Sequence, residues 1–506
     1  MIDNPILPGF YPDPSICLVG DDYYLVTSSF EYFPGVPIFH SRDLIHWRQI
    51  GHVLTRVSQL PLEAAKSSQG IFAPTLRHHA GIFYLVTTNV SSGGSFFVTA
   101  RDPAGSWSEP TWLHEPTFAM DPSLMFAEDG RVYYTRHGGG EHGGIYQSEI
   151  DLRGGKLVGD AQQIWAGTGG VWPEGPHLYQ IAGRYYLMIS EGGTSSGHMI
   201  TVARSSAPFG PFEAYAKNPI LTHANQPSEA IQATGHGDLV QARDGRWWLV
   251  FLGIRRWDGK NHHLGRETFL APVEWTDDGW PVVNHGSAIT LRLRAHGLPP
   301  RHPWPSLPAR DDFESLTLGF DWNFLRNPPA GSWSLSERPG FLRLNGSTAS
   351  LDEVSSPAFV GRRQRHHTAR VVAALEFSPA SEAERAGLSV RANEANHYDV
   401  SLTGVPGRRK VQLHTRVLGS SQLVAEERAP EGRVELTVEA FPDRYEFSFA
   451  VEKGAPRSLG SGPTAPLSSE NAGGFTGVYF GMFATTTAAT GMPPADFDWF
   501  EYAPGE

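Results

Sequence analysis

Apolar and polar residues alternate with a period of two through most of this chain, in short runs closed by Gly, Asp, Asn or Pro. That period belongs to β-strands with one face buried. No amphipathic pattern of helical length appears, except around Leu60 to Lys66. The first run stands in FYPDPSICLVGDDYYLVTSS, from Phe10, where an Asp sits between two prolines directly ahead of an apolar strand.

The same arrangement returns four times. DPSICLVGDDYYLV (from Asp13) is followed by APTLRHHAGIFYLV (Ala73), DPSLMFAEDGRVYY (Asp121), GPHLYQIAGRYYLM (Gly175) and HGDLVQARDGRWWLV (His236). Each copy holds a short leading residue, a strand, a tight turn and an aromatic pair that opens a second strand. Further runs such as PIFHSRD, SFFVTARD, GIYQSEID and MITVARSS supply a third strand. The copies recur at roughly 50 to 60 residues, room for about four strands, which is the size of a propeller blade. Five copies predict an all-β, five-bladed β-propeller over residues 1–300.

In a propeller the first strand of each blade lines the central channel, so equivalent strand starts face one mouth. The residues ahead of the aligned Pro or Gly are Asp13, Ala73, Asp121, Gly175 and His236, with Glu174 one residue before Gly175. Three carboxylates far apart in sequence are thereby predicted to share one pocket. A single Asp-Pro-Ser is an ordinary turn opener. Two at matching blade positions, with Trp-Pro-Glu-Gly-Pro at a third, point to a site, because clustered carboxylates cost stability and are kept for chemistry.

A Pro-rich stretch, 301–310, reads as a linker. From 311 to 506 the strands FLRLNG, ARVVAALEF, AGLSVRAN, YDVSLTG, KVQLHTRV, RVELTVEAF, RYEFSFAVE and VYFGMFA predict an antiparallel β-sandwich without a catalytic motif.

Composition adds exclusions. The chain has 506 residues with a formal charge of −12, which disfavours nucleic acid and anionic membranes as partners. Its one cysteine, Cys17, permits no intrachain disulfide and is read as a small core residue. No run of about 20 apolar residues predicts a membrane span. The first residues, MIDNPILPGF, lack a signal-peptide pattern, which predicts a cytoplasmic protein. The pairs His78-His79, His262-His263 and His366-His367 have no metal-ligand spacing and are read as exposed; for His262-His263, in the polar loop before Arg266, a place at the pocket rim is the lesser alternative.

FYPDPS, FAMDPS, WPEGPHLY and QATGHGDLV, together with TSSFEYFPGVPIFHSRDLIHW and LGRETFLAPVEW, resemble glycoside hydrolase family 43. DDFESLTLGFDWNFLRNP and ADFDWFEY resemble the first and last strands of the C-terminal sandwich found in its β-xylosidases and α-L-arabinofuranosidases. The resemblance implies a concanavalin A-like (jelly-roll) sandwich. It also implies an exo-acting, inverting hydrolase that releases xylose or arabinose from oligosaccharides. Asp13 then resembles the general base, Glu174 the general acid, and Asp121 the carboxylate that keeps the acid protonated. Arg266 resembles a substrate-binding arginine, and His236 lies under the sugar. Phe30, Phe72 and Trp172 form an aromatic wall, although many relatives carry Trp at the Phe72 position. No cofactor is required for the chemistry, but many relatives hold calcium near the matching histidine, which makes His236 a candidate metal contact. Relatives of this type are often oligomers. The Phe475 to Phe483 region is the candidate contribution of the sandwich to the pocket. Two alternatives remain at this stage: an endo-arabinanase-like hydrolase, and a propeller that binds carbohydrate or protein without catalysis.

Overall fold

The computed structural model describes residues 1–115, 118–488 and 491–505. Five antiparallel sheets form the propeller, and each opens with the strand that the repeat marks: Ser15–Val19, Thr75–His79, Ala119–Phe126, Glu174–Ile181 and Ile231–Gln241. The second strands are Asp22–Val26, Ile82–Asn89, Val132–Gly138, Arg184–Glu191 and Trp247–Arg255. The turn between first and second strand holds Gly20, Gly81, Gly130, Gly183 or Gly245, with φ between 63° and 85°. A side chain there would strain the backbone, so the repeating glycine sets the hairpin.

The ring is closed by the start of the chain. Ile2–Asp3 pairs with Arg292–Leu293, and the Asn4 side chain both donates to the Leu270 carbonyl (3.1 Å) and accepts from the Leu270 N–H (3.0 Å). Inside the ring, the inner strands of four blades meet around one buried ion pair. Arg77 Nη1 donates to Asp238 Oδ2 at 2.8 Å, and Arg77 Nη2 donates to His177 Nδ1 at 2.9 Å. The same carboxylate accepts from the Ser15 hydroxyl (2.7 Å), the Ile16 N–H (3.1 Å) and the Tyr179 hydroxyl (2.7 Å). Burial would raise the Asp238 carboxyl, but Arg77, His177 and these hydrogen bonds hold it well below the usual range. Cys17, on the first inner strand, has its thiol pushed up to about 12, chiefly by burial, and is not poised as a nucleophile.

The second domain is a sandwich of two eight-stranded sheets. One follows Arg310–Asp311 with the closing strand Ala495–Pro504. The other contains a dipeptide of the propeller. Tyr32–Phe33, from the first blade's second connection, pairs with Asn323–Leu325 at the sheet edge. An apolar core runs without a break from Val26, Leu60 and Phe83 of the propeller to Phe324, Val360 and Phe480 of the sandwich. The segment with a helical pattern, Leu60 to Lys66, is a loop of turns wedged between the domains. Its backbone is claimed by tertiary partners: the Leu62 N–H donates to Asn327 Oδ1 (2.6 Å), Asn327 Nδ2 donates to the Leu60 carbonyl (2.9 Å), and the Ala65 carbonyl accepts from Arg326 Nε (2.5 Å). These contacts outweigh a short local propensity.

Removing one member of the channel ion pair leaves the other charge buried without a partner. Asp238→Ala is expected to lower stability by roughly 3–5 kcal/mol, read as a fall in Tm by circular dichroism. The double variant Arg77→Met/Asp238→Leu should recover most of that loss. An Asp238→Ala protein as stable as its parent contradicts this account.

Candidate active site

The first strands do not enter the channel mouth as regular β-structure. Asp13, Asp121 and His236 adopt left-handed backbone (φ 55°, 53° and 44°), as does Gly175 (φ 57°). These are four of the five aligned positions in the repeat. The ladder shifts register between Met120 and Ser123, between Glu174 and His177, and between Gly235 and Asp238. Such bulges re-aim a side chain, and left-handed conformations outside glycine persist only where packing holds them. Phe30 and Trp172 share the strain (φ 50° and 53°).

All eight side chains marked from sequence line one cavity of about 390 Å³: Asp13, Asp121, Glu174, Arg266, His236, Phe30, Phe72 and Trp172. This is the size of a small-molecule cleft. The three carboxylates sit in different surroundings. Asp13 Oδ1 accepts from Arg266 Nη1 at 3.0 Å, and Asp13 Oδ2 accepts from the Ser28 hydroxyl at 2.6 Å. His236 Nδ1 stands 3.7 Å from Asp13 Oδ1. Burial acts to raise the Asp13 carboxyl, but Arg266, His236 and Ser28 together hold it below its ordinary value. Glu174 has no such partner. Burial, then the charges of Asp121 and Asp13, push its carboxyl well above the usual range, against a smaller pull from Arg266. Asp121 is also raised, first by burial and then by Asp13, and it accepts the Gly175 N–H at 3.2 Å. One pocket therefore pushes two carboxyls in opposite directions, Asp13 towards the ionised form and Glu174 towards the protonated acid, which is the division of labour that acid–base catalysis needs.

Sequence reasoning passed over His198. Its Nε2 lies 3.8 Å from Glu174 Oε1, and its Nδ1 contacts the Ala233 carbonyl at 3.2 Å. Burial lowers this imidazole to about 3, so it is neutral. With the proton on Nδ1, Nε2 is an acceptor facing the Glu174 carboxyl. The close fit leaves no room at Gly235, where a Cβ would meet the ring at 2.2 Å. An isolated histidine in SSGHMI carries no local signal beyond its place at the head of a third strand.

The sandwich completes the wall. Phe475 lines the cavity, its N–H donating to the Ser68 hydroxyl at 2.7 Å and its ring 6.1 Å from Phe30 and 6.4 Å from Phe72. The Arg266 guanidinium lies over both Phe30 (5.6 Å) and Phe475 (5.4 Å). Phe483, at the other end of the marked region, belongs to the apolar cluster that includes Phe30 and Tyr479 and does not line the cavity.

One expectation needs correction. His262 and His263 are buried, not exposed, and neither lines the cavity. His262 meets Glu470 of the sandwich (Nδ1 to Oε1, 2.7 Å), and the His263 carbonyl accepts the Val478 N–H at 2.9 Å. The loop is polar because it forms an interdomain joint, not because it is wet. His366 and His367 are likewise only partly exposed. As for calcium, a hard cation needs several oxygen donors. The carboxylate nearest His236 is already engaged by Arg266, and the next layer of the channel holds the Arg77 guanidinium. Among the described residues no three His, Cys, Asp or Glu side chains are grouped to hold a metal. The residues present do not form a protein-built calcium cage.

The profile of glycosyl hydrolases family 43 matches residues 2–281, and the β-xylosidase C-terminal concanavalin A-like domain matches residues 310–503. The chain belongs to glycosyl hydrolase family 43. This family-43 enzyme is 44% identical over 504 residues to a non-reducing end α-L-arabinofuranosidase of Bacteroides ovatus, covering 99% of this chain and 94% of that protein. It is 41% identical over 513 residues to a xylosidase/arabinosidase of Butyrivibrio fibrisolvens, covering 98% of each. Among solved structures, a xylan β-1,4-xylosidase of Bacillus halodurans superposes with a TM-score of 0.95 at 38% identity, over 99% of this chain and 100% of that one. Among the described residues of the family-43 enzyme, no helix is long and apolar enough to cross a membrane.

Arg266 lowers the carboxyls of both Asp13 and Glu174. Its removal should therefore raise both, so the whole kcat/KM–pH profile of Arg266→Ala is expected to move to higher pH, with the acid limb moving most. An unchanged acid limb would detach Asp13's charge state from Arg266.

Proposed function

We propose that this glycoside hydrolase is an exo-acting, inverting pentosidase that releases single xylose or arabinofuranose units from the non-reducing ends of oligosaccharides. The observation that carries the reading is the opposite displacement of Asp13 and Glu174 within one cavity. Inversion needs one carboxylate to take a proton from water while the other gives a proton to the leaving oxygen, on opposite faces of the sugar. Asp13, held ionised, suits the first task. Glu174, held protonated, suits the second, with Asp121 sustaining its protonation. A single displacement follows, with no covalent intermediate.

The Phe475 wall closes one side of the cavity, which favours a chain end over an endo-acting groove. The acid–base pair disfavours a purely binding propeller. Xylose and arabinofuranose both remain in the reading because the relatives carry both names. A pocket for chain ends suits short oligosaccharides taken up by the cell, which supports a cytoplasmic place of action.

Asp13→Ala and Glu174→Ala should each lower turnover on aryl β-D-xyloside and aryl α-L-arabinofuranoside by roughly 10²–10⁴-fold, with unchanged far-UV circular dichroism. Proton NMR of the first-formed sugar should show the anomer opposite to that of the substrate. Near-parental turnover in both variants sinks the assignment, and a retained anomer sinks the inverting mechanism.

A further inference from the structure

The sandwich sheet that contains Tyr32–Phe33 has one face with two characters. At one end of that face, Phe359, Tyr479 and Phe483 join the apolar cluster that includes Phe30 of the propeller. Further along, the same face is polar. Arg385 stands opposite Thr485, Asp399 opposite His414, His397 opposite Arg416, and His414 opposite Leu423. Residues directly paired in a ladder point to the same face. Strands Glu384–Asn393, Asn396–Val405, Arg408–Val417, Ser420–Arg428 and Tyr479–Thr486 therefore present these side chains together. With Ser350, Leu351 and Asp352 they line a cavity of about 360 Å³, which shares no lining residue with the catalytic one.

Most of the charge in this cavity is already engaged. His397 lies between two carboxylates, with Nε2 3.0 Å from Asp352 Oδ1 and Nδ1 2.9 Å from Asp399 Oδ2. Burial acts to lower this imidazole, but Asp399 and Asp352 raise it to about 8, so it is a cation at neutral pH. Arg416 donates from Nη1 to the Ser421 hydroxyl (2.8 Å) and from Nε to the Glu394 carbonyl (2.9 Å). Arg385 differs. It is partly buried, lines the cavity, and its guanidinium has no hydrogen bond or ion pair among the described residues. His414 is lowered by burial and then by Arg385, and its Nδ1 is buried without a hydrogen-bond partner.

The lining thus holds three cations, Arg385, Arg416 and His397, against two carboxylates, Asp352 and Asp399. The surplus of one positive charge suits a monoanion, whereas a phosphate monoester would overshoot it. A partly desolvated arginine without a partner costs free energy, and a carboxylate removes that cost through two parallel N–H···O bonds. Around it stand the Ser350, Ser421 and Thr485 hydroxyls and the apolar Leu351 and Leu423, the last 47% exposed. One carboxylate, several hydroxyls and an apolar C–H face in a ring of this size describe a sugar acid.

We propose that this cavity is a binding site for a hexuronic acid, with its carboxylate on Arg385 and its ring against Leu423. The site lies in the domain that supplies none of the three catalytic carboxylates, so the inference goes beyond the hydrolase reading and does not depend on it. The same chemistry is offered by the free sugar acid and by a uronic acid branch on an oligosaccharide.

The test is a titration of the full chain followed by proton NMR of the ligand, and no step of it needs turnover. D-Glucuronate should bind at least roughly tenfold more tightly than D-glucose, which keeps the ring, or acetate, which keeps the carboxylate; tenfold is the ratio that about 1.4 kcal/mol supplies. Arg385→Met should erase that preference and Arg385→Lys should restore part of it, both with a parental thermal unfolding midpoint. Arg266→Ala, which changes the catalytic cavity, should leave the affinity for D-glucuronate unchanged. Equal affinity for D-glucuronate and either control, parental affinity in Arg385→Met, or loss of binding in Arg266→Ala overturns the site. A xylo-oligosaccharide with a glucuronate branch separates the two sources. Tighter binding than free D-glucuronate, with the gain lost in Arg385→Met, supports the site with the branch as its ligand, and equal affinity supports it with the free acid. A chain inactive on every pentoside would overturn the functional reading alone.

Discussion

A propeller can hold a reaction site only if its innermost strands keep a common axis, and here one guanidinium sets that axis. Arg77 reaches from the second blade to Asp238 of the fifth and His177 of the fourth, while Ser15 of the first donates to the same carboxylate. An ion pair in the interior is poor evidence of stability by itself, because desolvation offsets most of its attraction. What it supplies is registry: the charges are satisfied in one relative placement of four blades, and sliding any of them leaves a buried charge alone. The strained turns at Asp13, Asp121 and His236 stand on that layer. Without a fixed floor, nothing would hold a left-handed Asp against relaxation toward extended backbone.

Much of this was legible because repetition converts distant sequence into shared position. Asp13, Asp121 and Glu174 could be placed in one pocket from the aligned strand starts, since five-fold closure leaves such residues little other choice. The same alignment contained the channel layer. Ser15, His177 and Asp238 each follow the aligned Pro or Gly by one residue. They passed unnoticed because a charge on an inner strand looks the same in sequence whether it meets solvent, substrate or an arginine.

Other features had no sequence signal because their causes lie in the other domain. Tyr32–Phe33 reads as a blade connection, yet the sandwich sheet supplies its partner at Phe324 and Leu325. His262 and His263 look like surface residues until Glu470 and Val478 arrive from more than two hundred residues away. Leu60 to Lys66 has a helical spacing of apolar residues, but Asn327 and Arg326 take its backbone groups. Hydrophobic period reports that a face is buried, not what buries it. Leu423 shows the converse limit, for a large apolar residue that stays exposed cannot be told from a core residue by type alone.

The sandwich supplies none of the three carboxylates, yet it packs against the arginine that pairs with the base. Arg266 is held by a backbone hydrogen bond from Tyr11, whose N–H donates to its carbonyl at 3.0 Å, and by a loop pressed onto the second domain. At Gly265 the approach is so close that a Cβ would stand 2.9 Å from the Gly477 nitrogen. On the same side, the Phe475 ring lies 5.4 Å from the guanidinium, and the Arg266–Asp13 pair is buried. In a wet site that pair would be worth little, since exposed ion pairs are screened. Dry, it opposes the burial that would otherwise protonate Asp13. Burial also pushes Glu174, which lacks a cation of its own, towards its acid form. Arg266, His236 and Ser28 thus draw Asp13 down while burial and two neighbouring carboxylates push Glu174 up, and Phe475 of the second domain lies against the arginine that tips the balance.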